Sequence, residues 1–253
     1  TAYTGMVNEQ NRMDIMTNNL ANASTVGYKK EGSTSQSFDD VLTVKIKDQS
    51  VGMRNAQKIG IKNPGVKIGE NYTDYSQGSF RITGNTYDLA LSGEGFFAIE
   101  FTNKAGETDT KYTRAGQFTL NKDGYLVTEE GDYVLDTQNR RIRLNTLIDS
   151  SITDDGTIYQ NGQAMAKIQV TDFADYDYLE KYGETYYQPI QGAQTIASNA
   201  QVKSGYLEMA NVQIVSEMVN LISITRAYES NQKVVQTIDD TLDVAVNQIG
   251  RVQ

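Results

Sequence analysis

The 253-residue chain contains no cysteine, no histidine and no tryptophan, and only two prolines. Without cysteine, disulfides, thiolate zinc sites and thiol nucleophiles are excluded. Without histidine, the commonest general base and metal ligand is missing, and a Ser/His/Asp triad is excluded as well. These absences leave few routes to enzymatic catalysis.

Long hydrophobic runs and positive charge are also scarce. No apolar run approaches the roughly 18–20 residues that cross a bilayer. The first residues, TAYTGMVNEQ, lack a basic start followed by an apolar stretch, so we expect no cleavable signal peptide. The net charge is −9, whereas nonspecific nucleic-acid binding needs a positive surface. We therefore expect no nucleic-acid partner.

The C-terminal end carries the clearest pattern. Twelve positions alternate by three and four residues without a slip, and ten of them are apolar. This spacing predicts one long helix with a coiled-coil seam, although a long helix lying on a sheet has the same pattern. The seam consists of Ile214, Glu217, Leu221, Ile224, Tyr228, Asn231, Val235, Ile238, Leu242, Ala245, Ile249 and Val252. Further apolar residues lie outside the seam, which indicates contact with more than one neighbour: Val215, Met218, Val219, Ile222, Val234, Val244 and Val246.

A shorter stripe of the same kind begins the chain. It predicts an N-terminal helix of about 20 residues, which would be marginal alone in water. We expect it to pack against the C-terminal helix, with its methionines forming an adaptable surface. The stripe consists of Ala2, Met6, Glu9, Met13, Met16 and Leu20.

The middle of the chain differs in kind, because short strand-like runs alternate with Gly-containing turns. Residues 117–128, QFTLNKDGYLVT, predict a β-hairpin around an Asp-Gly turn, and Asn161-Gly162 predicts a second turn of this type. The fold class is therefore α+β, with long terminal helices forming a coiled-coil-like unit around a mainly β middle domain. The predicted division is 1–30 (helix), 31–71 (extended connector), 72–205 (β domain) and 206–253 (long helix).

Several patterns raise the question of chemistry, and each has a plainer interpretation. The pairs Asp39-Asp40, Asp154-Asp155 and Asp239-Asp240 are adjacent, and adjacent side chains diverge on helices and strands alike. The acids of TDFADYDYLE lack calcium-loop spacing. Gly93 and Gly95 match only part of a dinucleotide fingerprint, so we expect a tight turn before a Phe96-Phe97 strand. No catalytic, cofactor or metal residue is predicted. Seven tyrosines either pack against the strands of the β domain or line a surface that binds a glycan or a protein: Tyr72, Tyr75, Tyr176, Tyr178, Tyr182, Tyr186 and Tyr187.

Asparagines crowd the end of the first helix, in TNNLANASTVGY. Asn18, Asn19 and Asn22 could stop the helix and satisfy its last carbonyls. Alternatively, in a packed array they would bond to neighbouring chains and fix their register, and Asn231 in the long seam would act likewise.

Four blocks resemble the flagellar rod and hook family of bacterial axial proteins: NNLANASTVGYKK (18–30), DLALSGEGFFAIE (88–100), YTRAGQFTLNKDGYLVT (112–128) and EMVNLISITRAYESNQKVVQTIDDTLDVAVNQIG (217–250). They occur in the family's order and span nearly the whole chain. The short length and the tail motif are most similar to the rod members, and among these to the distal one. The family pattern also predicts a Met and a few further residues before Thr1.

The resemblance implies a noncatalytic structural subunit that passes through the flagellar type III export apparatus and stacks helically into the hollow basal-body rod. Its terminal helices would form the inner tube and its β domain an outer layer. Implied partners are copies of itself, other rod and hook proteins and the basal-body rings. Alternatives are a proximal rod or short hook-like position, or a surface binding module with a helical stalk. An enzyme is the third alternative. The residues expected to mediate assembly are Met6, Met13, Met16, Asn18, Asn19, Leu20, Asn22, Leu221, Ile224, Tyr228, Asn231, Val235, Ile238, Leu242 and Ile249.

Overall fold

The computed structural model describes residues 1–39, 41–45, 57–103 and 106–249, with the side chains of 41–45, 57–62 and 248–249 left undescribed. These residues form two compact units. The terminal unit comprises residues 1–20, 31–74 and the chain from Ile214 onward, and the middle unit comprises 21–30 and 75–213.

The terminal unit contains two helices and two β-ribbons. Strand β1 pairs with β4 and β2 pairs with β3, both antiparallel. A single π-helical turn, Ala245–Ile249, continues the second helix. The elements are α1 (Ala2–Ala21), β1 (Glu31–Ser37), β2 (Val41–Lys45), β3 (Gln57–Lys62), β4 (Val66–Thr73) and α2 (Ile214–Val244). Most of the segment 31–71, which the sequence predicts as a connector, is thus built from paired strands.

The middle unit is built from sixteen short strands and one 3₁₀ turn, Tyr176–Tyr178. The strands are β5 (Phe80–Ile82), β6 (Leu89–Ser92), β7 (Phe96–Thr102), β8 (Thr108–Thr113), β9 (Phe118–Leu120), β10 (Leu126–Thr128), β11 (Tyr133–Val134), β12 (Ser150–Ile152), β13 (Thr157–Gln160), β14 (Gln163–Lys167), β15 (Val170–Phe173), β16 (Leu179–Tyr182), β17 (Tyr186–Pro189), β18 (Thr195–Ala197), β19 (Gln201–Ser204) and β20 (Tyr206–Glu208). The unit is therefore mainly β, as predicted.

The strands of the middle unit combine hairpins of consecutive strands with long-range pairs such as β8-β17, β6-β19 and β5-β20. The largest sheet runs β16-β17-β8-β7-β11-β10-β9, with β15 joining β7 to β18. A three-stranded sheet, β12-β13-β14, and the pairs β6-β19 and β5-β20 complete the unit. The Asp-Gly hairpin is confirmed, because β9 pairs with β10. The Asn161-Gly162 turn also forms a hairpin, because β13 pairs with β14.

Strand β7 separates two apolar cores. Side chains alternate between the faces of a strand. Phe97 therefore enters one buried cluster with Leu89 and Phe118, while Phe96 enters a second cluster with Tyr187. Both rings are fully buried. The Phe96-Phe97 pair thus anchors both faces of the sheet.

The glycines before β7 provide its entry turn. Gly93 and Gly95 have φ angles of 122° and 133°, which side chains rarely adopt. A side chain at Gly95 would also overlap Ser198. These glycines serve a backbone turn, which is the plainer of the two interpretations of this motif.

The tyrosine set mostly packs inside the middle unit. Tyr187 is fully buried and Tyr186 nearly so. Tyr75 and Tyr176 contact the ring of Phe96 edge-on. Strand and core packing therefore explains most of this set, as the plainer interpretation predicts.

Candidate assembly surface on the terminal helices

The inner face of α1 is set by two asparagines and one isoleucine. Asn8, Ile15 and Asn19 are its buried residues, and they follow helical spacing over three turns. Asn19 is fully buried; its Nδ2 donates to the Glu31 carbonyl at 2.8 Å and its Oδ1 accepts from the Glu31 amide at 2.9 Å. Asn8 and the Ser35 hydroxyl exchange hydrogen bonds at 3.0 and 3.2 Å. The helix therefore holds β1 through side-chain amides.

This face differs from the predicted stripe of α1. The residues of the predicted stripe are only half-buried. The buried residues, Asn8, Ile15 and Asn19, each lie one position before a residue of that stripe. The reason is that β1 offers polar groups rather than an apolar surface, so amide side chains make the deepest contacts. The half-buried residues are Ala2, Met6, Glu9, Met13, Met16 and Leu20.

The asparagines at the end of α1 bond within the chain. Asn19 binds the start of β1, as described above. Asn22 Nδ2 donates to Glu184 at 2.7 Å, and Asn22 Oδ1 accepts from the Thr25 hydroxyl at 3.0 Å. Asn22 and Glu184 line a cavity of about 320 Å³ in the middle unit. Asn18 is half-buried. Asn19 and Asn22 therefore each make hydrogen bonds within a single chain.

The first half of the α2 seam also packs within the terminal unit. Glu217 and Ile224 are buried, and Leu221 and Tyr228 are half-buried. The Asn231 amide lies 3.1 Å from the position that a Cβ atom would take on Gly5 of α1. Asn231 thus packs against the other helix of its own chain, and α1 and α2 approach each other there.

The second half of the seam is exposed. Side-chain exposure reaches 37% for Val235, 53% for Ile238 and 58% for Leu242. These residues continue the line of Ile224 along the same helix face, yet nothing in the described chain covers them to the same extent. The side chain of Ile249 and all of Val252 lie outside the described residues. The seam therefore passes from a packed half to an exposed half.

A second exposed strip lies on the opposite face of α2 and is defined here as the helix flank: Val215, Met218, Val219 and Ile222. Together with the seam, α2 and its π turn expose eleven large apolar side chains among the described residues. Apolar exposure on this scale along one helix is unusual for a protein that functions as a monomer and typically marks an interaction surface. The remaining exposed residues are Ile214, Val234, Val235, Ile238, Leu242, Val244 and Val246.

A buried charge cluster, here called the junction, lies in the middle unit where the chain follows α1 and precedes α2. Glu208 is fully buried, and its carboxylate binds Lys29 Nζ at 2.6 Å and Arg114 at 3.4 Å. It also accepts from the Gly78 amide at 2.9 Å. Lys29 Nζ donates in addition to the Ser76 carbonyl at 2.8 Å. Three segments distant in sequence are thus tied to one carboxylate.

Backbone contacts reinforce the junction. The Gly27 amide donates to the Glu208 carbonyl at 2.8 Å. Gly27 has a φ of 70°, and a side chain there would overlap the backbone of Ala115. The Lys30 amide donates to Asn211 Oδ1 at 2.8 Å. The close approach explains why glycine precedes Tyr28 in the TVGYKK motif.

Sequence reasoning missed the junction. Lys29 and Arg114 both fall inside motif blocks, which was the one signal available, but nothing local marks them as buried partners of Glu208. Asn8 was missed as well, because it lies one position from the predicted apolar stripe.

Two of the acids singled out in the sequence, Asp155 and Asp172, have structural roles. Asp155 forms a turn before Gly156, where hydrogen bonds from Thr153 and Thr157 lower the pKa of its carboxyl to about 2. Asp172 accepts from the Tyr176 hydroxyl at 2.7 Å. Burial and then this hydrogen bond raise the pKa of Tyr176 above its ordinary value, so the hydroxyl remains a donor. Asp40 lies outside the described residues.

No cluster of three or more Asp, Glu, His or Cys suited to a metal occurs in the part of the chain that the structure describes. Within that same part, neither helix combines the length and apolarity of a membrane span. What the described residues do present is an apolar surface on α2.

Comparison with known proteins matches this chain along nearly its full length. Three family models match: "Flagella basal body rod protein" at residues 1–29, "Flagellar hook protein FlgE/F/G D1 domain" at 90–162 and "Flagellar basal body rod FlgEFG protein C-terminal" at 203–249. The flagellar basal-body rod protein FlgG of Bacillus subtilis is 34% identical over 98% of this chain and 97% of its own. FlgG of Agrobacterium fabrum is 32% identical over 96% and 95%, and FlgF of Caulobacter vibrioides is 31% identical over 99% and 98%.

Proposed function

The chain belongs to the flagellar basal-body rod protein family, and from that premise we propose that it polymerises as a distal rod subunit, stacking helically with its own copies into a hollow shaft. It is a structural subunit located in the flagellar hook–basal body. The observation that carries the proposal is the set of eleven exposed apolar side chains on α2 and its π turn.

The energetics favour many neighbours over one. Fully burying a large apolar side chain contributes about 1.5–3 kcal/mol, so half-exposed ones would contribute about 1 kcal/mol each, or roughly 10 kcal/mol together. Association costs about 4–15 kcal/mol in lost translational and rotational freedom. A single pair of copies is therefore marginal. A subunit that joins several neighbours at once loses its translational and rotational freedom only once, yet it buries both apolar faces of α2. Assembly is therefore favoured as the protein concentration rises.

In this proposal the terminal helices line the inner tube and the middle unit forms the outer layer. Val235, Ile238 and Leu242 make coiled-coil-like contacts with helices of neighbouring copies, because they extend a seam whose first half is already packed. The half-buried Met6, Met13 and Met16 adapt to the same contacts. Ile224 and Asn19 support these surfaces from inside the chain.

The proposed partners follow from membership of the hook–basal body complex. They are copies of this chain, the other rod and hook proteins, the basal-body ring proteins and the flagellar export apparatus. The proposed role is noncatalytic, since the family is one of structural rod proteins.

A proximal rod position is the second candidate, because the chain resembles a rod protein of a second name, FlgF, over 99% of its length. A short hook-like subunit is a variant of the same proposal. Deleting the gene separates these positions, because the basal body would end where the missing subunit begins. A rod that ends before its distal segment supports the distal position, whereas loss of the whole rod supports a proximal one.

The polymerisation itself is tested by electron microscopy of concentrated, purified protein. Wild-type chain is expected to form tubes above a critical concentration. Ile238→Glu places a charge in the exposed seam and is expected to abolish tubes. The matched control is Gln236→Glu, which adds the same charge on the polar face of α2 and should leave tubes intact. If wild-type protein stays monomeric at every concentration, or both variants assemble equally, the proposal is wrong.

A further inference from the structure

The ribbon formed by β5 and β20 presents a second exposed apolar surface, in the middle unit. Alternation places Phe80 and Ile82 on one face of β5, and the register places Tyr206 directly opposite Ile82 on that face. Their exposures are 42%, 74% and 37%. All of β5 is exposed. We call these three residues the ribbon patch.

The ribbon patch and the helix flank are matched in size and chemistry. Each offers on the order of 300–400 Å² of apolar surface, given 150–250 Å² for a large side chain. The helix flank follows the spacing i, i+3, i+4, i+7 and contains no charged residue. The exposed side chains of the ribbon patch are uncharged as well, because the acid opposite Phe80, Glu208, is fully buried and paired with Lys29 and Arg114. Charge-free apolar cores of this kind are typical of the centre of a protein interface.

Neither surface is large enough to hold two copies together alone. A standard stable interface buries about 800 Å² on each partner, and each of these surfaces supplies less than half of that. A contact between them would therefore form only when other contacts of the assembly add to it. That property suits an array and does not suit a free dimer.

Symmetry decides what the helix flank contacts. A surface that binds its own copy gives an isologous contact, which closes into a dimer, whereas open helical growth requires two different surfaces on each subunit. The helix flank lies on the face of α2 opposite to Glu217 and Ile224. The contacts that bury these two residues within the chain therefore leave the flank exposed. Resting on the proposed function, we propose that the ribbon patch of one copy receives the helix flank of a second copy.

Engineered cysteines test the contact directly, because the chain has none of its own. A Val219→Cys chain is mixed with an Ile82→Cys chain that carries a longer tag, and the concentrated mixture is oxidised mildly. The expected result is a disulfide-linked mixed pair formed in at least about tenfold excess over same-kind pairs. The matched control replaces Ile82→Cys with Leu147→Cys, an exposed position of the middle unit outside the ribbon. Equal yields from the two mixtures overturn the proposal.

Charge variants test its consequence for assembly. Ile82→Glu and Val219→Glu are each expected to raise the critical concentration about tenfold or more, because each inserts a charge into an apolar contact. Leu147→Glu and Gln232→Glu are exposed controls that should not change it. Since all four positions are exposed, circular dichroism should show an unchanged fold.

The two proposals fail in different ways. If wild-type chain never polymerises, the proposed function is wrong, and the ribbon contact, which needs the other contacts of the assembly, is wrong with it. If wild-type and Ile82→Glu chains polymerise at the same concentration, only the ribbon contact is wrong, and the flank then binds its own copy or another basal-body protein.

Discussion

Replacing Glu208 with glutamine isolates the role of charge in the junction. Glu208→Gln keeps the size of the side chain and retains an oxygen that can accept from the Gly78 amide. It removes the negative charge that faces two buried cations, Lys29 at 2.6 Å and Arg114 at 3.4 Å. Both cations are at least 97% buried, so water cannot replace the lost partner. The substitution therefore tests the ion pairs and not the packing.

The expected loss is large relative to the stability of the unit. Breaking a buried ion pair by neutralising one partner costs about 3–5 kcal/mol, since the remaining charge is left desolvated. Whole domains are stable by about 5–15 kcal/mol. We expect Glu208→Gln to lower the free energy of unfolding of the middle unit by roughly 3–5 kcal/mol. Urea unfolding followed by circular dichroism measures this as a shift in the transition midpoint.

Two comparisons make the result specific. Glu180→Gln removes an exposed carboxylate of the same unit and should change stability by less than about 0.5 kcal/mol. Lys29→Met in the Glu208→Gln background removes one stranded cation, so it should recover part of the loss. The reasoning is refuted if Glu208→Gln stays within about 1 kcal/mol of wild type, or if added salt reduces the loss as it would for an exposed pair.

Two further predictions concern the asparagine side chains of α1 and the loss of stability at acidic pH. Asn19→Ala removes two buried hydrogen bonds to the backbone of Glu31, so it should cost about 1–3 kcal/mol and increase hydrogen exchange in β1; unchanged exchange there would contradict this. The pKa of Asp136 lies below its ordinary value, because hydrogen bonds from the amides of Arg140 and Gln138 and from the Arg140 side chain outweigh burial, which acts in the opposite direction. Because the pKa of this carboxyl is lower in the folded than in the unfolded protein, the ionised carboxylate stabilises the fold. This stabilisation is fully present above the unfolded-state pKa of about 3.9, and it is lost as the pH falls through the folded-state pKa. Thermal unfolding from about pH 6 down to about pH 2 should therefore fall less steeply for Asp136→Asn than for wild type; parallel curves would show that this shift is absent.

Local signals predicted local structure. The Asp-Gly turn forces the chain back on itself within a few residues, so the β9-β10 hairpin could be read from QFTLNKDGYLVT alone. The α2 helix followed from unbroken three–four spacing. In both cases the determining interactions lie within a few turns or residues of one another.

Long-range polar contacts could not be predicted in this way. A buried lysine looks like a surface lysine in a sequence, so nothing marked Lys29 as a partner of a carboxylate 179 residues away. Asn19 was noticed, but its choice between capping a helix and holding β1 depends on where Glu31 lies in space. The seam likewise could not reveal that Ile224 is buried while Ile238 is exposed, because both have the same periodic position.

Strand β7 places a constraint on how this chain can change in length. Phe96 and Phe97 fill two different cores, so inserting or deleting one residue after Gly95 would send each ring to the wrong side of the sheet. The ring sizes are equal, but their surroundings are not, and every following residue of the strand would be inverted as well. Natural or engineered insertions should therefore accumulate at hairpin tips such as Asn161-Gly162, and foreign peptides grafted there should be displayed without disturbing either core.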